Sequence, residues 1–318
     1  MMPPIIEVQK LRKYFGKGAD QVRAVDGISI NIQEGEIFGF LGPNGAGKTT
    51  SLRIIIGLLK PDSGGVKILG KDPFSNGKQL KRQLGIVTQD VVMYEDLTVE
   101  ENLWFLANIY EIPKTVATKR INYLISQMGL EDKRNAQAKT LSGGLRGRLN
   151  LILGLIHDPT IVLCDEPTPG LDPQSRVAVW EFIQKLPEQG KTVILTTHFM
   201  EEADRLCDRV AIIDHGKILV LDTPETLKAS IGEGDSIEVE LVDPSLLDST
   251  SNAFTDDEGI EYSRVLGGAI VIRGKALVSK LNRILSKIES LAEIRNVKLR
   301  RTTLEDVFIH LTGRRLRN

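Results

Sequence analysis

Apolar residues in the first two thirds of the chain fall in short runs separated by longer stretches with helical spacing. The runs "GISINI", "EIFGFL", "VKIL", "GIVTQ", "TIVLCDE", "TVILTTH" and "RVAIID" are rich in β-branched residues and bounded by turn formers, as buried strands are. Strands alternating with helices predict an α/β domain on a mostly parallel sheet. Between Gln89 and Leu141 the strand signal vanishes. There Thr98 with Glu101 has the form of a capping box ahead of the amphipathic "LTVEENLWFLANIY", and a second helix, "VATKRINYLISQMGL", follows Pro113. Residues 95–150 therefore read as a helical insert in the sheet domain.

Past residue 222 the texture changes. Gly232 and Gly234 mark a linker, placed at 223–234, and beyond it "SIEVEL" and "AIVIRG" alternate with period two. Leu277, Leu281, Ile284, Leu285 and Ile288 share one helical face, and "IRNVKLRR" reads as a strand before the closing helix "LEDVFIHLTG". That helix opens on a capping box, either Thr302 with Glu305 or Thr303 with Asp306. Residues 235–318 thus predict a small α+β domain beside a larger one at 1–222.

The length, 318 residues, agrees with two domains, and 41 Lys plus Arg against 42 Asp plus Glu leave no global field to attract nucleic acid. The longest apolar runs, "IIIGLL" and "LNLILGLI", fall short of the roughly 20 residues that cross a bilayer. No membrane span is expected, and "MMPPIIEVQK" lacks the basic start and apolar core of a secretory signal. Cys164 and Cys207 cannot form a disulfide framework; they fit a reducing cytoplasm and read as small buried hydrophobes. His157, His215 and His310 lie in turn or helix-end contexts that need no chemistry.

Chemistry enters at "GPNGAGKTT", between the strand "EIFGFL" and a helical run. In the run Gly42, Pro43, Asn44, Gly45, Ala46 and Gly47 the glycines let backbone N–H groups converge on phosphate oxygens at a helix N-terminus. Lys48 is placed for β and γ phosphates and Thr49 for Mg²⁺, with Thr50 completing the set. Asp165 and Glu166 follow apolar strand residues, where ligands of open α/β sheets bind. Asp165 suits a metal held through water, and Glu166 suits the water attacking a γ-phosphate.

With these come "VTQD", "LSGGLRGRLN", "LCDEPTPGLDP" and "TTHFMEEAD", in that order. The chain resembles an ATP-binding cassette ATPase, the motor subunit of ABC transporters, over residues 1–222. The resemblance implies a P-loop NTPase fold of the RecA-like kind, α/β with a helical insert and a β-rich edge, and implies ATP and Mg²⁺. By it, Gln89 senses Mg²⁺ and the attacking water and couples to the permease. His198 is the switch histidine at the γ-phosphate, Asp172 the dimer-loop aspartate, and Tyr14 the aromatic that stacks on adenine, a role Phe15 beside it can also take.

"LSGGLRGRLN" sets Ser142, Gly143 and Gly144 at a second helix start. Since Gly42–Thr49 already cradle one nucleotide, this turn is left for a phosphate on another chain. The family's head-to-tail pairing implies that arrangement, and Arg146 and Arg148, cations opposing the helix dipole, point to an anion nearby. Leu145 stands where most members carry Gln, which with "RGRL" resembles the daunorubicin-resistance type of export ATPase; the tail "TTLEDVFIHLTGR" resembles that subclass too. Pro169 replaces the usual Ser or Thr.

The expected protein is an ATP-hydrolysing subunit of an exporter. Its partners are a second copy of itself and separate membrane permease chains, and it sits on the cytoplasmic face of the membrane through them. A soluble cassette ATPase acting on DNA or ribosomes is the alternative, but it calls for a long coiled-coil insertion or a second cassette. A regulatory ATP clamp conflicts with the complete set Lys48, Asp165, Glu166 and His198.

Overall fold

A computed structural model describes residues 3–89, 93–230, 236–254, 260–266, 268–274, 277–300 and 302–313. The chain divides after Pro224 into two compact units. In chain order the first holds β1 (Ile6–Phe15), β2 (Val22–Ile32), β3 (Ile37–Leu41), α1 (Lys48–Ile55), β4 (Ser63–Ile68), α2 (Gly77–Lys81) and β5 (Leu84–Val87). Next come α3 (Val99–Ile109), α4 (Lys114–Gln127) and α5 (Gly143–Leu153), the helical insert. The unit closes with β6 (Ile161–Asp165), α6 (Pro173–Gln184), β7 (Thr192–Thr197), α7 (Met200–Leu206), β8 (Arg209–Asp214) and β9 (Lys217–Asp222).

Among the described residues its strands form two sheets. One has the order β5-β6-β7-β3-β8-β9, parallel except for the antiparallel β8–β9 hairpin. Every residue of β3, β6 and β7 is buried, which explains their unbroken apolar runs: both faces of the sheet are covered. The other sheet, β2-β1-β4, is antiparallel and is the expected β-rich edge. Ile54 and Ile55 of α1 join one apolar cluster with Ile6, Leu11 and Ile68 of the antiparallel sheet and Phe38, Phe40 and Ile213 of the larger one. The phosphate-loop helix is thus wedged between two sheets.

The insert starts as its sequence dictates. The Thr98 hydroxyl accepts from Glu101 N–H at 3.2 Å while the Glu101 carboxylate accepts from Thr98 N–H at 2.8 Å, and Pro113 precedes α4. At the expected linker the structure differs: residues Pro224–Ser230 form helix α8, and Gly232 and Gly234 lie outside the described residues.

The second unit carries β10 (Ser236–Leu241), α9 (Leu247–Asn252), β11 (Ile260–Leu266), β12 (Ala269–Gly274), α10 (Leu277–Glu289), β13 (Ile294–Arg300) and α11 (Leu304–Thr312). Its antiparallel sheet has the order β11-β12-β10-β13. Ile237 and Val239 of β10, Ile270 and Ile272 of β12, and Leu277, Ile284 and Ile288 of α10 make its core, with Leu281 and Leu285 partly buried against it. Of the two capping boxes open at α11, the one formed is Thr303 with Asp306.

Candidate functional site

Strand register brings the candidate residues to one edge. Leu41 of β3 pairs with Thr197 of β7, Asp165 of β6 with Thr196 of β7, and Val87 of β5 with Cys164 of β6. The carboxyl ends of four neighbouring strands therefore deliver, at one level, the loop from Gly42, His198, the Asp165–Glu166 pair and Gln89. In such sheets this is the ligand-binding edge.

The loop from Gly42 to Gly47 turns into α1 with no side-chain cap, its N-cap being Gly47 at φ 104°. A Cβ there would run into the Ala24 carbonyl oxygen, so only glycine fits. The β8–β9 turn, His215–Gly216, buttresses this loop: Gly216 N–H donates to Ala46 O at 2.9 Å, and Asp26 N–H donates to Gly216 O at 2.8 Å. Asn44 and Gly45 at the loop tip are exposed, and Thr49 and Thr50 on the first turn of α1 are half-buried. The unpaired N–H groups of that turn carry the positive end of the helix dipole.

Lys48 is buried and donates to Gly42 O at 2.8 Å and Pro43 O at 3.2 Å, while its Nζ lies 3.3 Å from Glu166 Oε1. Burial pulls its pKa down, and the Glu166 and Asp165 carboxylates oppose that pull. Glu166 also meets His198, whose Nδ1 lies 3.2 Å from Oε2 without the alignment of a hydrogen bond. The Glu166 backbone sits in the left-handed region at φ 48°, an unfavourable conformation for a side chain other than Gly, Asn or Asp. Its N–H donates to both Thr196 O and Thr196 Oγ1 at 3.1 Å. The Thr49 hydroxyl donates to Asp165 Oδ1 at 3.0 Å, and the Thr196 hydroxyl donates to the same oxygen. Lys48, Thr49, Asp165, Glu166 and His198 form one contact cluster.

A second cluster is built on α5 and α6. Ser142, exposed, caps α5 by accepting from Leu145 N–H at 3.4 Å. Asp172, also exposed, caps α6 by accepting from Ser175 N–H at 2.9 Å, a bond that lowers its pKa. Gly144 packs onto that cap so closely that a Cβ would overlap Ser175 Oγ and Asp172 Oδ2. Arg146 and Arg148 do not support an anion as expected. Arg146 is ion-paired with Glu95, and Arg148 donates to Met128 O and Ser175 Oγ, each at 3.3 Å. The charge of Arg146 is answered by Glu95, whereas Arg148 is held by neutral oxygens.

Tyr14 donates its hydroxyl to Asp26 Oδ1 at 2.8 Å, with Arg23 over its ring. This bond raises the tyrosine pKa and lowers that of Asp26. Phe15, next to Tyr14, is 44% exposed, with Lys13 Nζ 5.7 Å from its ring centroid. Gln89 is exposed beyond β5; Asp90, the last residue of its motif, lies outside the described residues. Cys164 and Cys207 are both buried, and burial pushes both thiols up, as small hydrophobes require.

Residues 25–169 match the family model described as ABC transporter. A Nod factor export ATP-binding protein I of Ralstonia nicotianae is 37% identical over 315 residues, 99% of this chain and 96% of that protein. The chain belongs to the ABC transporter ATP-binding family. A daunorubicin resistance ATP-binding protein of Streptomyces coeruleorubidus is 36% identical over 316 residues, covering 98% of this chain and 97% of the relative. Among solved structures, the ATP-binding subunit of an ABC transporter superposes with TM-score 0.64 at 28% identity, covering 72% of this chain and 93% of its own. A dimeric cassette in a post-hydrolysis state with ADP and Pi gives 0.63 at 28% identity, covering 69% and 98%.

This ABC protein is an ATPase, and the cluster at the strand ends gathers an ammonium, a carboxylate beside it and an imidazole beyond. Thr49 and Asp165 offer hard oxygens 3.0 Å apart, a donor set that suits Mg²⁺, which takes few protein ligands and keeps phosphate and water. Among the described residues no group of three His, Cys, Asp or Glu side chains gathers to hold a metal on protein alone. Two positions of this ABC ATPase, both within the "TTHFMEEAD" run, drew no role from the motif. Thr196, which orients Asp165 and Glu166, reads only as a strand residue. Glu202 lies fully buried on the face of α7 that carries Ala203 and Leu206, and an acid at apolar helical spacing is the signal that marks it.

Proposed function

We propose that this ABC ATPase is the motor of an exporter and works as a head-to-tail pair of copies on separate membrane permease chains. Each nucleotide is then held between the Gly42–Thr50 loop of one copy and the Ser142–Gly144 turn of the other, beside Asp172. The observation that carries the reading is the exposure of Ser142, Gly143 and Asp172 on a rigidly capped helix pair, apart from the buried Lys48 cluster. Export is supported by the named exporters that match this chain over nearly its whole length.

In this reading Lys48 turns from Glu166 to the β and γ phosphates, and Glu166 accepts the proton of the attacking water. His198 holds the γ-phosphate from the far side of Glu166. Thr49 and Asp165 hold Mg²⁺, with Gln89 reporting on it; the ion supplies charge neutralisation on the phosphates. Adenine stacks at Phe15 or Tyr14.

Permease docking is supported by a groove of about 370 Å³ between the insert and the sheet, lined by Leu58, Ile86, Thr88, Leu106, Tyr110 and Leu153. Leu58 is 63% exposed, and Thr88 precedes Gln89. Among the described residues no helix is long and apolar enough to cross a membrane, which leaves translocation to other chains. The localisation that follows is the cytoplasmic face of the membrane.

A mixing experiment tests the pairing. Lys48→Ala disables the phosphate loop and Ser142→Arg the opposing turn, so each variant alone is inactive. Mixed, they form a heterodimer with one intact composite site, and ATP turnover returns. If each chain closed its own site, the mixture would stay as inactive as its parts.

A further inference from the structure

Glu202 is completely buried at the start of α7. Its Oε1 accepts from Thr168 Oγ1 at 2.9 Å and from Trp180 Nε1 at 3.0 Å, while Oε2 is buried without a hydrogen-bond partner among the described residues. Burial pushes its pKa up. A buried acid is costly unless its oxygens are satisfied, and an apolar residue would fill the space with less penalty. Its partners suggest why an acid stands there.

Thr168 is two residues after Glu166, and α7, which carries Glu202, begins two residues after His198. Glu202 therefore joins, from behind, the two segments that carry the pair in contact at 3.2 Å. Trp180 anchors the same carboxyl to α6, whose N-cap is Asp172. Arg176 of α6 lies 5.3 Å over the Phe199 ring, which is 4.2 Å from the His198 ring. The back of the switch segment is thus braced from the same helix.

We propose that Glu202 is a positioning residue that ties the loop after Glu166 to α7, the helix that follows His198, fixing Glu166 against His198 while the Thr168–Asp172 loop meets a second copy. The inference rests on the roles given above to Glu166 and His198. Neither Glu202 nor Thr168 touches the nucleotide in this scheme. Their work is to prevent drift of the groups that do, and small displacements of reacting groups are expensive in rate.

The test uses the purified full chain, ATP-dependent phosphate release and thermal unfolding. Thr168→Val should lower kcat about tenfold with KM changed less than about twofold. Trp180→Phe removes a bond to the same oxygen but none to the loop, and should leave kcat within about twofold. Glu202→Gln, which keeps an acceptor at Oε1, should retain most of the turnover that Thr168→Val loses. Equal losses of kcat for Thr168→Val and Trp180→Phe, or none for either beside a matched fall in Tm, would reduce Glu202 to a core residue and overturn the proposal. Glu166→Gln, assayed in parallel, separates the two layers: undiminished turnover there sinks the site reading itself. An inactive Glu166→Gln beside an unimpaired Thr168→Val sinks only the role of Glu202.

Discussion

The starts of α1 and α5 look alike in sequence, each a glycine-bearing turn opening a helix, yet the structure finishes them differently. At α1 the N-cap is Gly47, no side chain caps the first turn, and Lys48 is buried beside Glu166. The N–H groups of that turn carry no side-chain cap, and Lys48, Thr49, Asp165, Glu166 and His198 gather beside it from the same chain. At α5 Ser142 caps its own helix, Arg146 pairs with Glu95 and Arg148 donates to Met128 O, and the turn faces solvent. The first turn is a cradle furnished by side chains of its own chain. The second is a rigid surface that acquires meaning only against another body.

That contrast can be attacked from both sides. The largest expected effect is at the cradle: Glu166→Gln removes the proton acceptor and should cut turnover by about 10²–10³-fold, while nucleotide titration finds ATP still bound. Next comes the seam behind the second turn. Gly144→Ala pushes a methyl into Ser175 and Asp172, and overpacking of this kind costs about 1–3 kcal/mol; calorimetry should show a lowered Tm. If the two turns are distinct, single-copy ATP affinity is unchanged although turnover falls. A matching loss of affinity would erase the distinction.

Smaller still is Ser142→Ala, worth about 1 kcal/mol as a lost cap, with ATP-driven dimerisation in light scattering weakened more than the Tm. Smallest is the base platform: Phe15→Ala should raise KM for ATP severalfold, and Tyr14→Phe should barely move it. Tyr14→Phe should instead raise the Asp26 pKa toward the ordinary carboxylate range, seen by NMR titration. Asp26 is held low in the folded chain, so its contribution is present above the ordinary carboxylate range and is lost as pH falls through the folded pKa. The variant should therefore lose less stability on acidification.

Legibility in the sequence followed locality. The cradle was readable because its chemistry is contained in a few consecutive residues, and β3, β6 and β7 because double-sided burial leaves unbroken apolar runs. The split of strands between two sheets was not readable: "VKIL" looks like its neighbours, and only pairing of β4 with β1, some 60 residues away, assigns it to the antiparallel sheet. β1 itself and β9 escaped notice, since half-buried strands with charged faces resemble surface chain. The arginines of α5 were misread because Glu95, the partner of Arg146, lies 51 residues upstream. The linker was marked by Gly232 and Gly234 at its far end, whereas at its near end Pro224 occupies the first position of α8, where its missing N–H costs nothing. The tie made by Glu202 is a tertiary fact, hinted at only by an acid among apolar helix positions.

The β8–β9 turn carries a lesson for anyone screening variants of this chain. Gly216, at φ 75°, has the Arg23 and Ala24 carbonyls where a Cβ would stand, and its N–H supports Ala46. A lesion at this hairpin, some 170 residues downstream of the loop it steadies, would announce itself at the bench as poor fuel capture rather than as misfolding. Sequence distance is a bad guide to which assay will fail first.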